Sequence, residues 1–475
     1  MSTQFVMGKS IEDALMRAKV KEQQGFCYSY DCLGEAALTE DDAKRYFADY
    51  QNAIKKIGQF NNIDDISRKP GISVKLSALH PRYQEAQRAR VLTQLTPKLL
   101  ALAQLAKKHD ISFTIDAEES ERLDISLDII AQVFQDKSLA GWQGFGIAVQ
   151  AYQKRAFYVL DWLAALARSQ QKRINVRLIK GAYWDSEIKK TQMQGLKQYS
   201  VFTRKSFTDV SFQACAKKML TLTDAIYPQF ATHNAYSVAT ILTLAKDYRD
   251  FEFQCLHGMG QELYQEIVKT QGMPCRIYAP VGVHEDLLPY LVRRLLENGA
   301  NSSFVNRVVD EHETIDTLTE NPLEKSRLLL DKINQNIVLP KDIFAPMRLN
   351  SSGIDLNDRQ EIMHLKASLQ QVSAEKWHIK TAHLSNTAFD KSYAPQKPDY
   401  CVGSIIKTDV AKVEDIILKA TKAFQAWSVK PVGQRADCLN RYADLLEAHQ
   451  TELFALLMLE AGKTWRDCVA EVREA

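Results

Sequence analysis

The chain has 475 residues, of which 45% are hydrophobic and 25% charged, and its 61 Lys and Arg residues against 58 Asp and Glu residues give a formal net charge of +3. This length predicts two or three domains, and the near balance of charge argues against nucleic acid as the main partner. The eight cysteines form no CxxC pair, and no stretch approaches the roughly 20 apolar residues of a membrane span, which argues against an integral membrane protein.

Residues 1–60 are predicted to form a helical arm. Residues 1–19 lack the apolar core of a secretory signal, so we expect a cytoplasmic protein with reduced thiols, in which any contact with the inner face of the membrane is peripheral. Thr39 and Asp42 have the spacing of a capping box, which predicts that a helix begins there.

From residue 71 onward, short β-rich runs alternate with amphipathic, helix-like stretches. Such alternation is typical of parallel βα units, and eight units over about 250 residues favour an α/β fold with a (βα)8 barrel over residues 61–335. An open, doubly wound sheet is the alternative. The predicted strands are 71–77, 113–118, 146–152, 175–181, 230–234, 251–256, 276–282 and 303–309.

Polar residues interrupt seven of these strands, near their C-terminal ends. In a barrel these ends converge at one mouth, where the active sites of this fold are built. A single buried lysine is as well explained by a structural ion pair, but seven such interruptions at one end favour a functional site. The residues are Lys75, Asp116, Gln150, Arg177 with Lys180, Thr232 with His233 and Asn234, Gln254, and Tyr278.

Residues 286–299 are predicted to form the last barrel helix. Its expected packing stripe is Leu288, Leu291, Val292 and Leu295. Arg293, Arg294 and Glu297 lie off that stripe, and paired guanidinium groups suit a carboxylate because they offer forked donors and keep their charge. The alternative is a solvated helix face.

The first 330 residues contain no glycine fingerprint after a predicted strand, so we do not expect a Rossmann nucleotide site there. The histidines and carboxylates have no metal-ligand spacing, so no metal site is expected, and we find no nucleophile elbow.

Seven segments, in order, closely resemble the proline dehydrogenase domain of bacterial proline utilization A. They are 73–83, 113–127, 149–156, 176–192, 231–241, 251–260 and 276–307. The resemblance implies a distorted (βα)8 barrel that binds FAD noncovalently. It also implies that the domain oxidises L-proline to pyrroline-5-carboxylate and passes the electrons to a membrane quinone.

The same resemblance implies roles for single residues. The expected catalytic residues are Lys75 and Asp116, as a buried ion pair beside the substrate, and Arg177, near the reactive flavin nitrogen. The expected substrate contacts are Tyr183, Leu256, Tyr278, Arg293 and Arg294. The expected cofactor contacts are Asp116, Gln150, Arg177, Ile179, Gly181, Ala182, Trp184, Thr203, Arg204, Lys205, Thr232, His233, Asn234, Gln254, Glu297 and Ser303, with 203–205 meeting the FAD phosphates. Lys180 is predicted to form a structural pair, because strand alternation turns it away from the face that Arg177 uses.

Residues 336–395 are predicted to form a linker, and 396–475 resemble the opening of an aldehyde dehydrogenase domain. A complete domain of that kind is expected to oxidise glutamate semialdehyde with NAD, but the catalytic cysteine, catalytic glutamate and nucleotide-binding strands would come later. We therefore expect a fragment, with NAD bound only by the missing part, and no nucleophile among Cys401, Cys438 and Cys468. The ribbon–helix–helix segment of trifunctional members is absent, so no DNA binding is expected.

Two other functions stay open from the sequence. A Schiff-base lyase on the same barrel could use Lys75 or Lys180 as its amine, with Asp116 assisting, and arginines at the mouth would suit its carboxylated substrate equally well. Alternatively, the fragment could bind flavin and turn over poorly, because its partner domain is incomplete.

Overall fold

In the computed structural model, eight strands of the described residues form a closed parallel barrel in the order β1 to β8. The structure describes residues 5–32, 34–60, 65–283, 288–299, 313–332, 334–372, 377–379, 389–406 and 408–475. The strands are β1 (Phe26–Cys32), β2 (Gly71–Val74), β3 (Ser112–Ile115), β4 (Phe145–Gln150), β5 (Ile174–Ile179), β6 (Ile226–Ala231), β7 (Glu252–Leu256) and β8 (Cys275–Val281). β8 closes the barrel on β1 in a register from Phe26↔Cys275 to Cys32↔Val281. The predicted barrel is confirmed, and the open sheet is excluded.

Helices follow most of the strands and bury their apolar faces against the outside of the barrel. The helices up to residue 327 are α1 (Ile11–Glu22), α2 (Glu40–Gln59), α3 (Arg88–Lys108), α4 (Leu123–Phe134), α5 (Ala156–Ser169), α6 (Trp184–Gln194), α7 (Lys205–Met219), α8 (Ala235–Ala245), α9 (Gln261–Gln271), α10 (Leu288–Gly299), α11 (Ile315–Leu318) and α12 (Pro322–Arg327). Short 3-10 turns occupy Leu76–Ala78, Glu85–Gln87, Ser120–Arg122 and Lys137–Leu139. The capping box predicted at Thr39 and Asp42 is present at the start of α2.

Burial on both faces explains the apolar texture of the strands. Every residue of β4 is buried, because its outer face meets the helices and its inner face fills the barrel. The polar side chains that interrupt these strands therefore lie inside the barrel or at its C-terminal end, where they need partners.

The prediction that residues 1–60 form only a helical arm is wrong. Residues 26–32 form β1, so the barrel begins before residue 61. Ser29 and Asp31 lie two residues apart on its inner face, where they bond Ser73 and Lys75. The sequence pattern did not predict β1, because these polar residues interrupt the continuous apolar run that the neighbouring strands have. The strand predicted at 303–309 lies outside the described residues.

The chain divides into two compact units, 1–191 with 198–339 and 192–197 with 340–475. The second unit contains a three-stranded sheet in the order β10-β11-β9. Its elements are a 3-10 turn at Pro340–Asp342, α13 (Arg359–Gln371), β9 (Trp377–Ile379), β10 (Phe389–Ala394), β11 (Lys397–Ile406), a 3-10 turn at Val410–Lys412, α14 (Val413–Ser428), α15 (Val432–Ala448), α16 (Gln450–Ala461) and α17 (Trp465–Glu474). The region predicted as a linker therefore contains a helix, α13, whose Leu365 packs with Phe454 and Cys468.

Among the described residues, no helix is both long and apolar enough to cross a membrane. All eight cysteines are described, and each is a free thiol.

Candidate active site

A cavity of about 480 Å³ lies at the C-terminal end of the barrel strands. Its lining contains the predicted catalytic residues Lys75, Asp116 and Arg177. It also contains all predicted substrate contacts, Tyr183, Leu256, Tyr278, Arg293 and Arg294. The predicted cofactor contacts in the lining, besides Asp116 and Arg177, are Gln150, Ile179, Gly181, Ala182, Trp184, Thr203, Lys205, Thr232, His233, Asn234 and Gln254. The sequence prediction thus converges on one place in the fold.

One predicted cofactor residue, Arg204, is described but is not part of this lining, and two others are not described. The Arg204 side chain donates from Nη2 to the carbonyl oxygen of Lys332 at 3.1 Å, outside the cavity wall. The Glu297 side chain and Ser303 lie outside the described part of the chain. Their predicted roles stay predictions.

Lys75 is buried directly after β2, and its closest carboxylate is not the expected one. Its Nζ donates to Oδ2 of Asp31 at 2.7 Å and to the hydroxyl of Tyr278 at 3.3 Å, whereas Oδ2 of Asp116 lies 3.5 Å away. The ion pair with Asp116 is present, but Asp31, which the sequence prediction missed, is the nearer partner. Asp31 has no exposed surface, so this pair is fully enclosed.

The charge on Lys75 follows from these contacts. Burial lowers its pKa, but Asp31, Tyr278 and Asp116 outweigh that effect, so the pKa of Lys75 lies well above its ordinary value. The side chain is therefore an ammonium at neutral pH. A Schiff-base lysine needs a lowered pKa, so this environment disfavours Lys75 as a nucleophilic amine.

Arg177 on β5 is held by four side chains. Nη1 donates to Oδ1 of Asp116 at 2.5 Å and Nε donates to the Gln254 amide oxygen at 2.6 Å. Nη2 donates to the hydroxyls of Ser73 at 3.0 Å and Ser29 at 3.3 Å. These partners come from strands on opposite sides of the barrel, and they fix the plane of the guanidinium group.

Asp116 bonds Arg177 directly and is also linked to Lys75 through the Tyr278 hydroxyl. The Tyr278 hydroxyl donates to Oδ2 of Asp116 at 2.6 Å, and the Arg177 guanidinium lies 5.2 Å from the Tyr278 ring. Burial raises the pKa of Tyr278 well above its ordinary value, and Asp116 and Asp31 add to that effect. The phenol therefore stays protonated and remains a hydrogen-bond donor.

Helix α10 brings two arginines to the cavity, each with a different partner. Arg293 donates from both terminal nitrogens to the two oxygens of Glu35, at 2.6 and 2.7 Å, and lies 5.0 Å from the Tyr183 ring. Arg294 is 7% exposed and lies 5.2 Å from the Tyr290 ring. Sequence reasoning missed Glu35, which is in a connecting segment 258 residues away in sequence from Arg293.

The Glu35–Arg293 pair keeps both groups charged. Burial raises the pKa of Glu35, but hydrogen bonds from Arg293, with the charge of Lys75, outweigh it and hold the pKa below its usual value. Burial likewise opposes the charge on Arg293, yet its carboxylate partner raises the pKa of the guanidinium above its ordinary range.

The packing stripe predicted for α10 is wrong at Leu288, Val292 and Leu295, whereas Leu291 packs against a buried apolar cluster as predicted. Leu288 is 69% exposed and Leu295 is 49% exposed, whereas Tyr290 is 5% exposed. Tyr290 belongs to the same cluster as Leu291, and Arg294 lies against the Tyr290 ring.

The segment after β5 is shaped by close packing. Gly181 has φ +131°, and a Cβ atom there would lie 2.5 Å from the Tyr152 ring, so only glycine fits. Lys180 donates to Asp209 at 2.6 Å, and Lys205 donates to the same carboxylate at 2.7 Å. The predicted ion pair of Lys180 is present, but Lys180 also lines the cavity.

Two further wall residues are oriented by the backbone. The indole nitrogen of Trp184 donates to the carbonyl oxygen of Phe202 at 2.8 Å, and Nε2 of His233 accepts from the backbone N–H of Leu256 at 3.0 Å. Asn234 caps α8 by accepting from the N–H of Ser237 at 3.0 Å. These bonds hold the far wall of the cavity in place.

The site thus offers cations at its floor and its helical wall, with aromatic and apolar side chains between them. Such a site can bind a small carboxylate and stabilise negative charge that develops during a reaction.

Comparisons with known proteins agree with the fold and with the motifs. Residues 14–307 match the family model for proline dehydrogenase, and residues 385–475 match that for the aldehyde dehydrogenase family. The bifunctional protein PutA of Klebsiella aerogenes is 46% identical over 492 residues, covering 100% of this chain and 38% of that protein. Proline dehydrogenase 1 of Bacillus subtilis is 30% identical over 305 residues, covering 63% of this chain and 88% of that protein.

The solved structures give the same result. The D779Y mutant of proline utilization A from Bradyrhizobium japonicum superposes with a TM-score of 0.86 at 44% identity, covering 100% of this chain and 46% of that one. The chain thus spans less than half the length of these PutA relatives. The chain belongs to the proline dehydrogenase family, and its C-terminal residues match part of an aldehyde dehydrogenase domain.

Proposed function

We propose that this chain oxidises L-proline to pyrroline-5-carboxylate, with noncovalently bound FAD as the electron acceptor. The observation that carries the proposal is the pairing, in one cavity, of a carboxylate-binding wall at Arg293 and Arg294 with a cationic floor at Arg177 and Lys75. A substrate with one carboxylate and a small ring would reach both.

The fit to FAD rests on groups in the cavity that have hydrogen-bonding capacity to spare. The amide nitrogen of Gln150, a residue only 2% exposed, has no hydrogen-bond partner among the described residues. Arg177 has five N–H groups, and its four bonds within the described part of the chain leave one for a ligand. Trp184 supplies a flat wall, and Thr203 and Lys205 would meet the phosphates. When bound, FAD supplies the acceptor for the hydride that leaves the proline ring carbon.

The protein's own residues have defined tasks in this reaction. Arg293 and Arg294 hold the substrate carboxylate, and Tyr183, Leu256 and Tyr278 pack around the ring and orient the carbon that loses hydride. The charge of Arg177 stabilises negative charge that builds up beside it as hydride is transferred.

Substrate binding requires an exchange at Arg293, whose two terminal nitrogens both bond Glu35. A substrate carboxylate must displace Glu35 or share the guanidinium with it. In either case, substrate entry rearranges this ion pair.

The resemblance supports three wider proposals. Electrons pass onward to a membrane quinone, the protein is cytoplasmic with peripheral membrane association, and the NAD-dependent second step belongs to the complete protein. DNA binding is not proposed for this chain.

The test is the anaerobic spectrum of the purified chain with FAD before and after addition of L-proline. Bleaching of the flavin bands, followed by turnover with an artificial acceptor, supports the proposal. Bleaching without turnover would favour the poorly active alternative instead. A colourless protein that borohydride traps covalently with a keto acid would favour the lyase and overturn the proposal.

A further inference from the structure

Glu252 lies two residues before Gln254 on β7, and both side chains are inside the barrel with 0% and 2% exposure. Oε1 of Glu252 accepts from the amide nitrogens of Gln254 at 2.7 Å and Gln229 at 2.9 Å, and from Nε of Arg276 at 2.8 Å. Its Oε2 accepts from Nη2 of Arg276 at 3.0 Å. The carboxylate is therefore surrounded by donors.

This arrangement decides which way the Gln254 amide points. A carboxylate only accepts hydrogen bonds, so the Gln254 nitrogen must face Glu252, and its oxygen is then turned to Nε of Arg177 at 2.6 Å. A flipped amide would place two acceptors together at Glu252 and two donors together at Arg177. Glu252 thus controls a contact of Arg177 without touching it.

The orientation matters because, within the described part of the chain, Arg177 has one N–H that makes no hydrogen bond and is left for a ligand. Its other donors bond Gln254, Asp116, Ser73 and Ser29. Of these four partners, Gln254 is the one that holds Nε, the nitrogen nearest the side-chain stem. A change in the Gln254 amide would therefore rotate the guanidinium plane and redirect the remaining N–H.

We propose that Glu252 is a positioning residue for the oxidation step: it orients the Gln254 amide, and this amide orients Arg177 toward the bound electron acceptor. The proposal rests on the proposed function, since it assumes that Arg177 acts on a flavin. It goes beyond that function by assigning a role to a residue outside the cavity lining.

A purely structural role for Glu252 is the competing explanation. Arg276 is 2% exposed and also donates to the carbonyl oxygens of Lys69 at 2.7 Å and Ser67 at 2.5 Å, so it needs Glu252 as a counter-ion. Loss of that ion pair would lower stability. Loss of the negative charge would by itself make the flavin potential more positive, which is opposite in sign to the effect expected from a displaced Arg177.

The experiment is Glu252→Met, which removes both acceptor oxygens from this position. It is measured by the flavin midpoint potential, the rate of flavin reduction by proline, and the proline dissociation constant. The expected result is a more negative potential and a reduction rate about tenfold to a hundredfold lower, with little change in proline binding, because a displaced electrostatic donor acts on the transition state. An unchanged or more positive potential, with an unchanged rate and a lowered melting temperature, would overturn the proposal.

The reversed pair Glu252→Gln with Gln254→Glu supplies the rescue. In it, the amide introduced at position 252 donates to the carboxylate introduced at position 254, which in turn accepts from Arg177, so the potential and the rate should return toward wild type. Failure of this rescue in a folded double variant would count against the relay. If Glu252→Met does not fold, Glu252→Met with Arg276→Met also removes the buried guanidinium and should show the same loss. Glu85→Met, at a buried carboxylate outside the cavity lining, is the matched control and should change neither readout.

A crystal structure of flavin-free Glu252→Met separates this proposal from the proposed function. A rotated Arg177 guanidinium is expected there whether or not the chain oxidises proline. An unmoved guanidinium would overturn the relay even in an active enzyme, whereas a wild-type protein that binds no flavin would overturn the proposed function, and with it the role in oxidation, but not the orientation of Arg177 by Glu252.

Discussion

The most direct test of the carboxylate wall is Arg293→Met, which keeps much of the length of the side chain and removes its donors. In the structure Arg293 makes two charge-assisted bonds to Glu35, at 2.6 and 2.7 Å. A substrate carboxylate would take over these donors. In the wild type, proline binding exchanges one carboxylate partner of Arg293 for another. We therefore expect Arg293→Met to lose the free energy of about one charge-assisted bond, ~2 kcal/mol, which raises the proline dissociation constant about thirtyfold. Flavin binding should change far less.

The assay is anaerobic titration of flavin reduction with proline, beside a separate measurement of flavin affinity in the apoprotein. Glu35→Gln is the matched variant, since it removes the competing charge and leaves Arg293 available. Its proline dissociation constant should stay constant or fall. Equal loss of flavin and proline binding in Arg293→Met would refute the assignment, and so would weaker proline binding in Glu35→Gln.

Three other changes follow from the geometry. Asp31→Asn should lower the free energy of unfolding by about 3–5 kcal/mol, because it leaves the buried ammonium of Lys75 without its nearest carboxylate. Denaturant unfolding measures this loss. The double variant Asp31→Leu with Lys75→Met should regain the stability but not the activity. Gly181→Ala should lower the free energy of unfolding by more than the about 1–3 kcal/mol of a strained φ, because it also displaces the Tyr152 ring. Gly141→Ala, where φ is positive but the space is open, should show the strain alone in a melting experiment. Lys172 has a pKa lowered to about 8 by burial, from an ordinary value of 10.5. Since the unfolded chain binds more protons between these values, stability should rise with pH across that window, and Lys172→Met should abolish the rise in pH-dependent unfolding.

The barrel could be predicted because strand–helix alternation is a local property of the sequence. β1 was missed for a physical reason, since its inner residues Ser29 and Asp31 are polar and bond to Ser73 and Lys75 inside the barrel. Its outer residues Tyr28 and Tyr30 are 1% and 0% exposed, so the alternation of a strand is present, but in an aromatic and polar form.

Partners distant in the sequence could not be predicted. Nothing near Glu35 indicates that it pairs with Arg293, because the pair exists only when α10 closes over the mouth of the barrel. The prediction of the buried face of α10 was also wrong. The buried face of α10 consists of Tyr290 and Leu291, which pack in an apolar cluster, and of Arg294, which lies against the Tyr290 ring. A rule that places leucines inward and arginines outward does not predict this face.

Charge pairing does not by itself separate structural from functional cations in this barrel. Five buried or half-buried cations each have a carboxylate partner: Lys75 with Asp31, Arg177 with Asp116, Lys180 with Asp209, Arg276 with Glu252, and Arg293 with Glu35. Arg276 and Arg177 differ in where the donors lie that are not used in the ion pair. Arg276 directs its other donors to backbone carbonyls, whereas Arg177 lines the cavity with one N–H beyond its four bonds. Arg177 can therefore act on a ligand in the cavity, whereas Arg276 stabilises the barrel.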